Sequence, residues 1–171
     1  PIVVKSICLP SEINHPRGWN SRLATARKLK SYRVEQHFYA YVSHHLNTNT
    51  AKFIGLFEEA NTQYLVLSDL SINEFKSIAE HDLEAVKRIL DWLAHFHVEN
   101  LGNCDENLWQ QGSYWHLATR PDEFNAISHQ GLKLSAQSLD AALRLCPYQT
   151  IIHGDAKIAN FMENEEAVVG Y

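Results

Sequence analysis

Residues 151–161 read IIHGDAKIANF, and no other segment of the chain says as much about its fold and chemistry. Two apolar residues open the segment, and Gly154 then interrupts it. An acid, a lysine and an asparagine follow at Asp155, Lys157 and Asn160, before an apolar residue returns. An apolar pair followed by glycine is typical of a short strand that leads into a turn. We therefore predict a strand at residues 151–152 and a loop that holds the three polar side chains.

A carboxylate, an ammonium group and a side-chain amide in this order suit the transfer of a phosphoryl group from ATP to a hydroxyl. That reaction needs a base for the hydroxyl proton, a cation to offset the charge on the moving group, and an oxygen ligand for Mg²⁺. Asp155, Lys157 and Asn160 are the candidates for these roles. The competing interpretation is a loop of solvated polar residues, which is common for a single Asp beside a Gly. The first interpretation is favoured because several roles match together.

The motif His-Gly-Asp-x-x-x-x-Asn-Phe at residues 153–161 resembles the catalytic loop of the phosphotransferase relatives of protein kinases. These relatives include the aminoglycoside phosphotransferases, the choline kinases and the ecdysteroid-kinase-like (CHK kinase-like) proteins. The resemblance to the last family is closest and extends over most of the chain. Its further segments are LVLSDL at 65–70, LAHFH at 93–97, LW at 108–109, GSYWHL at 112–117 and TRPDE at 119–123.

The resemblance implies a bilobal, protein-kinase-like α+β fold. Residues 1–67 would form a small lobe with an antiparallel sheet and one long helix, and residues 68–171 the hinge and the first part of a helical large lobe. A glycine-rich loop over the ATP phosphates is expected before Pro1, and a second Mg²⁺-binding acid just after Tyr171. The chain would then correspond to the middle of a kinase, incomplete at both ends.

The resemblance also implies roles for residues outside the loop. Lys5 would contact the α- and β-phosphates of ATP, held by an ion pair with Glu35 on the long helix. The adenine would be recognised by the backbone of the hinge residues, which are Ser68, Asp69 and Leu70. His153 would orient the loop by a hydrogen bond to the backbone. Without the resemblance, Lys5 and Glu35 would each pass for a surface charge at the end of an element.

Apolar periodicity predicts the remaining elements. Before residue 68, a strand is expected at residues 2–5, a loop at 9–20, a helix at about 21–45, and a hairpin of strands 53–58 and 63–68 that turns near Asn61. After it, a helix is expected at 82–99, further helix within 123–145, and a strand at 167–169. The expected apolar face of the 82–99 helix consists of Val86, Ile89, Leu90, Leu93, Phe96 and His97, and that of the last helix of Leu139, Ala142, Leu143 and Leu145. Basic residues of the first helix are expected on its solvated face, namely Arg22, Arg27, Lys28, Lys30 and Arg33.

Composition excludes several classes of function. With 45% hydrophobic and 20% charged residues, the 171-residue chain has the composition of a soluble globular protein. A net charge of −5 argues against a nucleic-acid-binding surface. No apolar run approaches the roughly 18 residues of a membrane span. The three separated cysteines are typical of reduced thiols in a cytoplasmic protein, and the scattered histidines do not have the spacing of a zinc site.

The predicted activity is therefore an ATP- and Mg²⁺-dependent kinase acting on a small-molecule alcohol. The alternative is a non-catalytic nucleotide-binding or interaction module with the same fold. A third possibility, an aminoglycoside-resistance enzyme, would require an acidic aminosugar pocket. A sterol, a choline-like alcohol and a sugar all remain possible acceptors, and the oligomeric state is open. The aromatic residues Trp109, Tyr114 and Trp115 would either line a substrate pocket or pack an irregular loop, and packing is favoured.

Overall fold

A computed structural model of the chain describes residues 1–8, 22–112, 117 and 120–171. Within these residues the fold is α+β, with two small antiparallel sheets and four α-helices. The loop expected at residues 9–20, and the aromatic residues Tyr114 and Trp115, lie outside the described residues.

The first sheet has three strands, β1 (Ile2–Cys8), β2 (Phe53–Glu59) and β3 (Thr62–Ser68), in the order β1-β3-β2. Both pairings are antiparallel, and Lys5 lies opposite Leu65 of the central strand. The predicted hairpin is confirmed, with Asn61 in its turn. The left-handed backbone position of that turn is the preceding residue, Ala60, with φ of 53°. This sheet places Lys5 beside the first helix.

The first helix is α1 (Arg22–His37), which continues as a π-helix at Phe38–Val42 and a 3-10 helix at Ser43–His45. The prediction of one helix to residue 45 therefore gave the right extent but missed the change of helix type. Tyr39 and Ser43 are buried in this region, and the Ser43 hydroxyl donates to the Tyr39 carbonyl oxygen at 2.9 Å. Such a bond competes with the regular helical pattern and is one cause of bending in helices.

The second long helix, α2 (Leu83–Glu99), starts where the sequence predicts. The Asp82 carboxylate caps it by accepting from the backbone N–H groups of Glu84 and Ala85, both at 3.0 Å. Its buried face is formed by Ala85, Ile89, Trp92 and Phe96. The predicted position of Leu90 on that face is wrong, because Leu90 is 59% exposed. The face is displaced towards Trp92, the largest side chain on the helix.

Two further helices are α3 (Pro121–Asn125) and α4 (Gln130–Leu145), and α4 confirms the further helix predicted within residues 123–145. The predicted apolar stripe of α4 does not form a packed face within the described residues, since Leu139, Leu143 and Leu145 are exposed. The helix ends as predicted before Pro147, and Cys146 has the extended backbone that a following proline favours.

The second sheet consists of β4 (Lys76–Ser77), β5 (Phe161–Glu163) and β6 (Val168–Gly170), in the order β4-β5-β6. The strand predicted at 167–169 is thus present, displaced by one residue, whereas β5 was not predicted. The strand predicted at 151–152 is wrong. The preceding Thr150 instead forms an isolated bridge with Leu101 and donates from its hydroxyl to the His97 carbonyl oxygen at 2.7 Å. Residues 150–152 therefore follow the end of α2 rather than a sheet edge.

The main core joins α2 to the second sheet. It is formed by the buried residues Ile78, Ala85, Ile89, Trp92, Phe96, Phe161 and Val168. The Trp92 indole N–H donates to the Asn49 carbonyl oxygen at 2.9 Å, and Thr50 bridges to Gly170 of β6. The chain between α1 and β2 is therefore tied to the helix and sheet that carry residues 151–161.

A carboxylate at the end of α2 makes a second tie to the same region. Glu99 accepts hydrogen bonds from the backbone N–H groups of Asn47 and Thr48, both at 2.9 Å, and from the Thr48 hydroxyl. Burial alone would raise the pKa of Glu99, but the hydrogen bonds from Thr48 and Asn47 outweigh it and lower the pKa from 4.5 to about 2. The ionised form is therefore the one that the fold stabilises.

Replacing Glu99 with Gln should make the free energy of unfolding less dependent on pH in the acidic range. Because the folded-state pKa lies below the usual 4.5, this contact stabilises the fold above about pH 4.5, and the contribution is lost as the pH falls towards 2. We expect Glu99→Gln to lower the free energy of unfolding by about 1.5–3 kcal/mol at neutral pH, as for hydrogen bonds to a charged group. Urea unfolding across that pH range measures the difference, with the exposed Glu84→Gln as control. Parallel pH curves for the wild type and Glu99→Gln would contradict the assignment.

No helix among the described residues is long and apolar enough to cross a membrane. Cys8, Cys104 and Cys146 are all free thiols.

Candidate functional site

The loop between Gly154 and Asn160 is shaped by a glycine and two short-range backbone hydrogen bonds. Gly154 has φ of 81°, the left-handed region that glycine adopts at little cost. The Lys157 N–H then donates to the Asp155 carbonyl oxygen, and the Asn160 N–H to the Lys157 carbonyl oxygen, both at 2.8 Å. Ile158–Asn160 form a 3-10 turn. These bonds fold the loop back on itself and bring its three polar side chains to one place.

The Asp155 carboxylate lies at the centre of this group. Its Oδ2 atom is 3.0 Å from Lys157 Nζ and 3.0 Å from Asn160 Nδ2. Asn160 Nδ2 also donates to the Asp155 carbonyl oxygen at 2.8 Å. The side chains of Asp155 and Lys157 are 39% and 59% exposed, so a substrate can reach them from solvent. The structure thus brings together the acid, the cation and the amide that the sequence singles out.

The Asn160 side chain has one orientation that satisfies these contacts. Both atoms that face Nδ2 are oxygen acceptors, so the nitrogen must point to Asp155 and the amide oxygen Oδ1 takes no part in these bonds. Nucleotide-bound Mg²⁺ is typically held by one or two side-chain oxygens together with phosphates and water. Asn160 Oδ1 fits that requirement as a single side-chain ligand. Within the described residues there is no cluster of three or more His, Cys, Asp or Glu side chains that could hold a metal.

An aromatic cluster anchors both ends of the loop. Phe161 is fully buried, stacks on the His153 ring at 5.2 Å and meets Trp92 edge-on at 5.5 Å. Burial lowers the pKa of His153, although the nearby Asp155 charge opposes that shift. A neutral ring can accept a hydrogen bond, and the Asp155 N–H donates to His153 Nδ1 at 3.3 Å. The predicted contact between His153 and the loop backbone is therefore present.

A second polar group lies between β1 and α1. Lys5 Nζ is 2.7 Å from Glu35 Oε1 and 2.6 Å from Oε2, although the residues are thirty positions apart. The Tyr32 ring, one turn before Glu35, lies 5.8 Å from the same ammonium group. The Lys5 side chain is 45% exposed, so its charge remains accessible. The ion pair expected from the sequence is thus present, with a geometry that leaves part of the ammonium group open to an anion.

Tyr39 is a buried residue that was not predicted. It lies one helical turn after Glu35 and is buried between α1 and the first sheet. Burial, Glu35 and Tyr171 all raise the pKa of its hydroxyl. The Tyr171 N–H in turn donates to the Asn160 carbonyl oxygen at 3.1 Å. Four-residue spacing from Glu35 is the sequence signal that could have identified Tyr39.

The three hinge candidates join the first sheet to the following segment. Ser68 ends β3, where its N–H donates to the Lys52 carbonyl oxygen at 2.8 Å. Asp69 caps the 3-10 helix that begins at Leu70, accepting from the Ser71 N–H at 2.9 Å and the Ser71 hydroxyl at 2.7 Å. These Ser71 bonds lower the pKa of Asp69. The Asp69 side chain therefore serves the local turn.

Comparisons of the chain with models of protein families, with curated proteins and with solved structures find no match.

Proposed function

We propose that this protein transfers the γ-phosphoryl group of ATP to a hydroxyl of a small molecule. The observation that carries the proposal is the contact of one accessible carboxylate, Asp155, with both Lys157 and Asn160. In this interpretation residues 1–67 and 68–171 correspond to the small and large lobes of a kinase-like fold.

The proposed chemistry uses each of the three side chains once. Asp155 accepts the proton of the acceptor hydroxyl as its oxygen forms a bond to the γ-phosphorus. The bond between that phosphorus and the β,γ-bridging oxygen breaks, and ADP leaves with the electron pair. Lys157 offsets negative charge on the oxygens of the moving group. Asn160 Oδ1 is the proposed ligand for Mg²⁺, which would supply further charge neutralisation when bound.

The Lys5–Glu35 pair would hold the other end of the triphosphate. A lysine ammonium can serve a carboxylate and a phosphate together because it is a compact charge with three donors. Glu35 fixes the side chain so that fewer rotamers are lost when the nucleotide binds. The backbone of Ser68, Asp69 and Leu70 is the proposed adenine contact.

Nucleotide binding is the first experimental test. We expect Mg²⁺-ATP to stabilise the protein by about 2.7 kcal/mol at a hundredfold excess over the dissociation constant, because a ligand of the folded state raises stability by mass action. Thermal melts with ATP and Mg²⁺, with ATP and a chelator, and without nucleotide measure this. Identical melting curves in all three conditions would remove the proposal.

A measurement of ATP turnover distinguishes a kinase from a non-catalytic nucleotide-binding module. ADP release should be measured against a panel of small alcohols that includes sterols, choline-like alcohols and sugars. Turnover with any of them supports the kinase and begins to define the acceptor. Stabilisation by Mg²⁺-ATP without turnover on any acceptor would favour a non-catalytic nucleotide-binding module.

A further inference from the structure

The flank of α1 adjacent to the side that carries Glu35 makes three contacts with a distant part of the chain. Arg27 Nη2 lies 3.0 Å from Glu123 Oε1, and His37 Nε2 lies 2.7 Å from Asp105 Oδ2. Between them, Lys30 Nζ lies 4.3 Å from the centre of the Trp109 ring. We call the three partners, Asp105, Trp109 and Glu123, the clamp residues. All three come from the chain between α2 and α4, far in sequence from α1.

The geometry of the helix separates this side from the ion pair with Lys5. At about 100° per residue, Arg27, Lys30 and His37 fall within an arc of about 80°, and Glu35 lies about 80° beyond Arg27. The clamp residues therefore press on one flank of α1 while Glu35 faces β1 from another. A rotation or outward movement of α1 would change both sets of contacts together.

The Arg27–Glu123 contact is mostly buried and corrects a prediction. The Arg27 side chain is only 18% exposed, so it does not lie on the solvated face of the helix as expected. Glu123 also accepts from Arg120 at 2.8 Å. Burial opposes ionisation of Glu123, yet its hydrogen bonds and the two arginine charges lower its pKa overall. Removing a partner from a buried ion pair is more damaging than removing an exposed one, because it leaves a charge uncompensated.

The contacts of α1 and its π-helical continuation with the first sheet are of two kinds, a partly exposed ion pair and buried contacts. Beside the Lys5–Glu35 pair, Gln36 Nε2 donates to Gln63 Oε1 at 3.2 Å, and Tyr39 packs against Leu65. Exposed or half-exposed ion pairs tolerate rearrangement, since their net contribution to stability is small. The partly exposed Lys5–Glu35 pair is therefore the contact on this side that a small shift of α1 would change first.

We infer that the clamp residues hold α1 in the position where Glu35 reaches Lys5, and that Arg27, Lys30 and His37 are positioning residues for this ion pair. Releasing the clamp lets α1 move away from β1 and withdraws Glu35. The effect on the ion pair follows from the contacts alone, whereas the effect on nucleotide binding rests on the proposed function.

Carbodiimide crosslinking with quantitative mass spectrometry tests the effect on the ion pair directly. This reagent joins a carboxylate to an amine only at contact distance, so Lys5 and Glu35 should crosslink in the wild type. We expect Arg27→Met to lower the yield at least threefold and Arg27→Lys to restore most of it. The Lys87–Glu84 pair on α2, at 2.7 Å, serves as an internal reference whose yield should not change. Arg144→Met, which removes an exposed ion pair on α4, is the matched control variant.

Asp105→Asn is a second variant that weakens the clamp. The substitution removes the charge of the carboxylate but keeps the size of the side chain. An unchanged crosslink yield for Lys5–Glu35 in both Arg27→Met and Asp105→Asn, with circular dichroism showing that both variants are folded, would overturn the inference.

If the crosslink yield falls but Mg²⁺-ATP does not bind even the wild-type protein, the clamp stands and the proposed function fails. If Mg²⁺-ATP binds, Arg27→Met introduced into the wild-type protein should lower the affinity for the nucleotide. Introduced into the Lys5→Met variant, the same substitution should cause no further loss of affinity. Equal weakening in both backgrounds would show that Arg27 does not act through the ion pair.

Discussion

Asp155→Asn is expected to lower the rate of phosphoryl transfer about 10²- to 10⁴-fold, the usual contribution of a general base. The amide has the size of the carboxylate and keeps one acceptor oxygen for Asn160 Nδ2, which lies 3.0 Å from Asp155 Oδ2. It cannot take the proton of the acceptor hydroxyl. Affinity for Mg²⁺-ATP should change little, because the proposed role of the carboxylate is directed at the acceptor. Single-turnover rates and nucleotide titrations measure the two effects separately.

Asp91→Asn is the matched control, since Asp91 is exposed on α2 and its carboxylate lies a loose 3.6 Å from His95 Nδ1. It should retain the wild-type rate. An Asp155→Asn protein with more than about a tenth of wild-type activity would place the base elsewhere, because the loss would fall below the range expected for such a base.

The sequence predicted best the features that depend on local chemistry. The start of α2 was predicted from the local pattern of residues 82–99, and the structure shows that the Asp82 carboxylate caps it by accepting from the first free N–H groups. The β2–β3 hairpin is likewise set by two apolar runs and a short turn. The order of Asp155, Lys157 and Asn160 predicted a shared loop, and the structure brings the three side chains together.

The features that the sequence did not predict depend on which face of a helix packs against a distant part of the chain. Leu90 fits the apolar periodicity of α2 as well as Trp92 does, but only the face with Trp92 meets Phe161 and Gly170. An alanine at residue 170 would put its Cβ 2.7 Å from the Trp92 ring, so that glycine is part of the same packing. Periodicity within a helix carries no information about such a distant partner.

The errors at Arg27 and at residues 151–152 have the same origin. An arginine on an amphipathic helix is usually solvated, and its burial here depends on Glu123, ninety-six residues away. Two isoleucines suggest a strand, but Thr150 is held by the His97 carbonyl oxygen at the end of α2. By contrast, the Lys5–Glu35 pair was predicted at a separation of thirty residues from the order of motifs along the chain, not from local pattern.

Breaking the Lys5–Glu35 pair is expected to have the second largest effect. Lys5→Met should weaken Mg²⁺-ATP binding about 10- to 150-fold, since a hydrogen bond to a charged group contributes about 1.5–3 kcal/mol. Glu35→Gln should weaken it less, because the ammonium group survives and loses only its orienting partner. Titration calorimetry on both variants measures these losses.

The double variant decides whether the two residues act as one unit. If Glu35 acts only by holding Lys5 at 2.6–2.7 Å, its replacement should have little further effect once Lys5 is methionine. The two losses should then fail to add by about 0.5–3 kcal/mol, as for residues in direct contact. Lys87→Met with Glu84→Gln is the matched control, an exposed ion pair on α2 whose loss should leave nucleotide binding unchanged. Additive losses for Lys5 and Glu35 would mean that each meets the nucleotide independently, and the anchoring role of Glu35 would have to be abandoned.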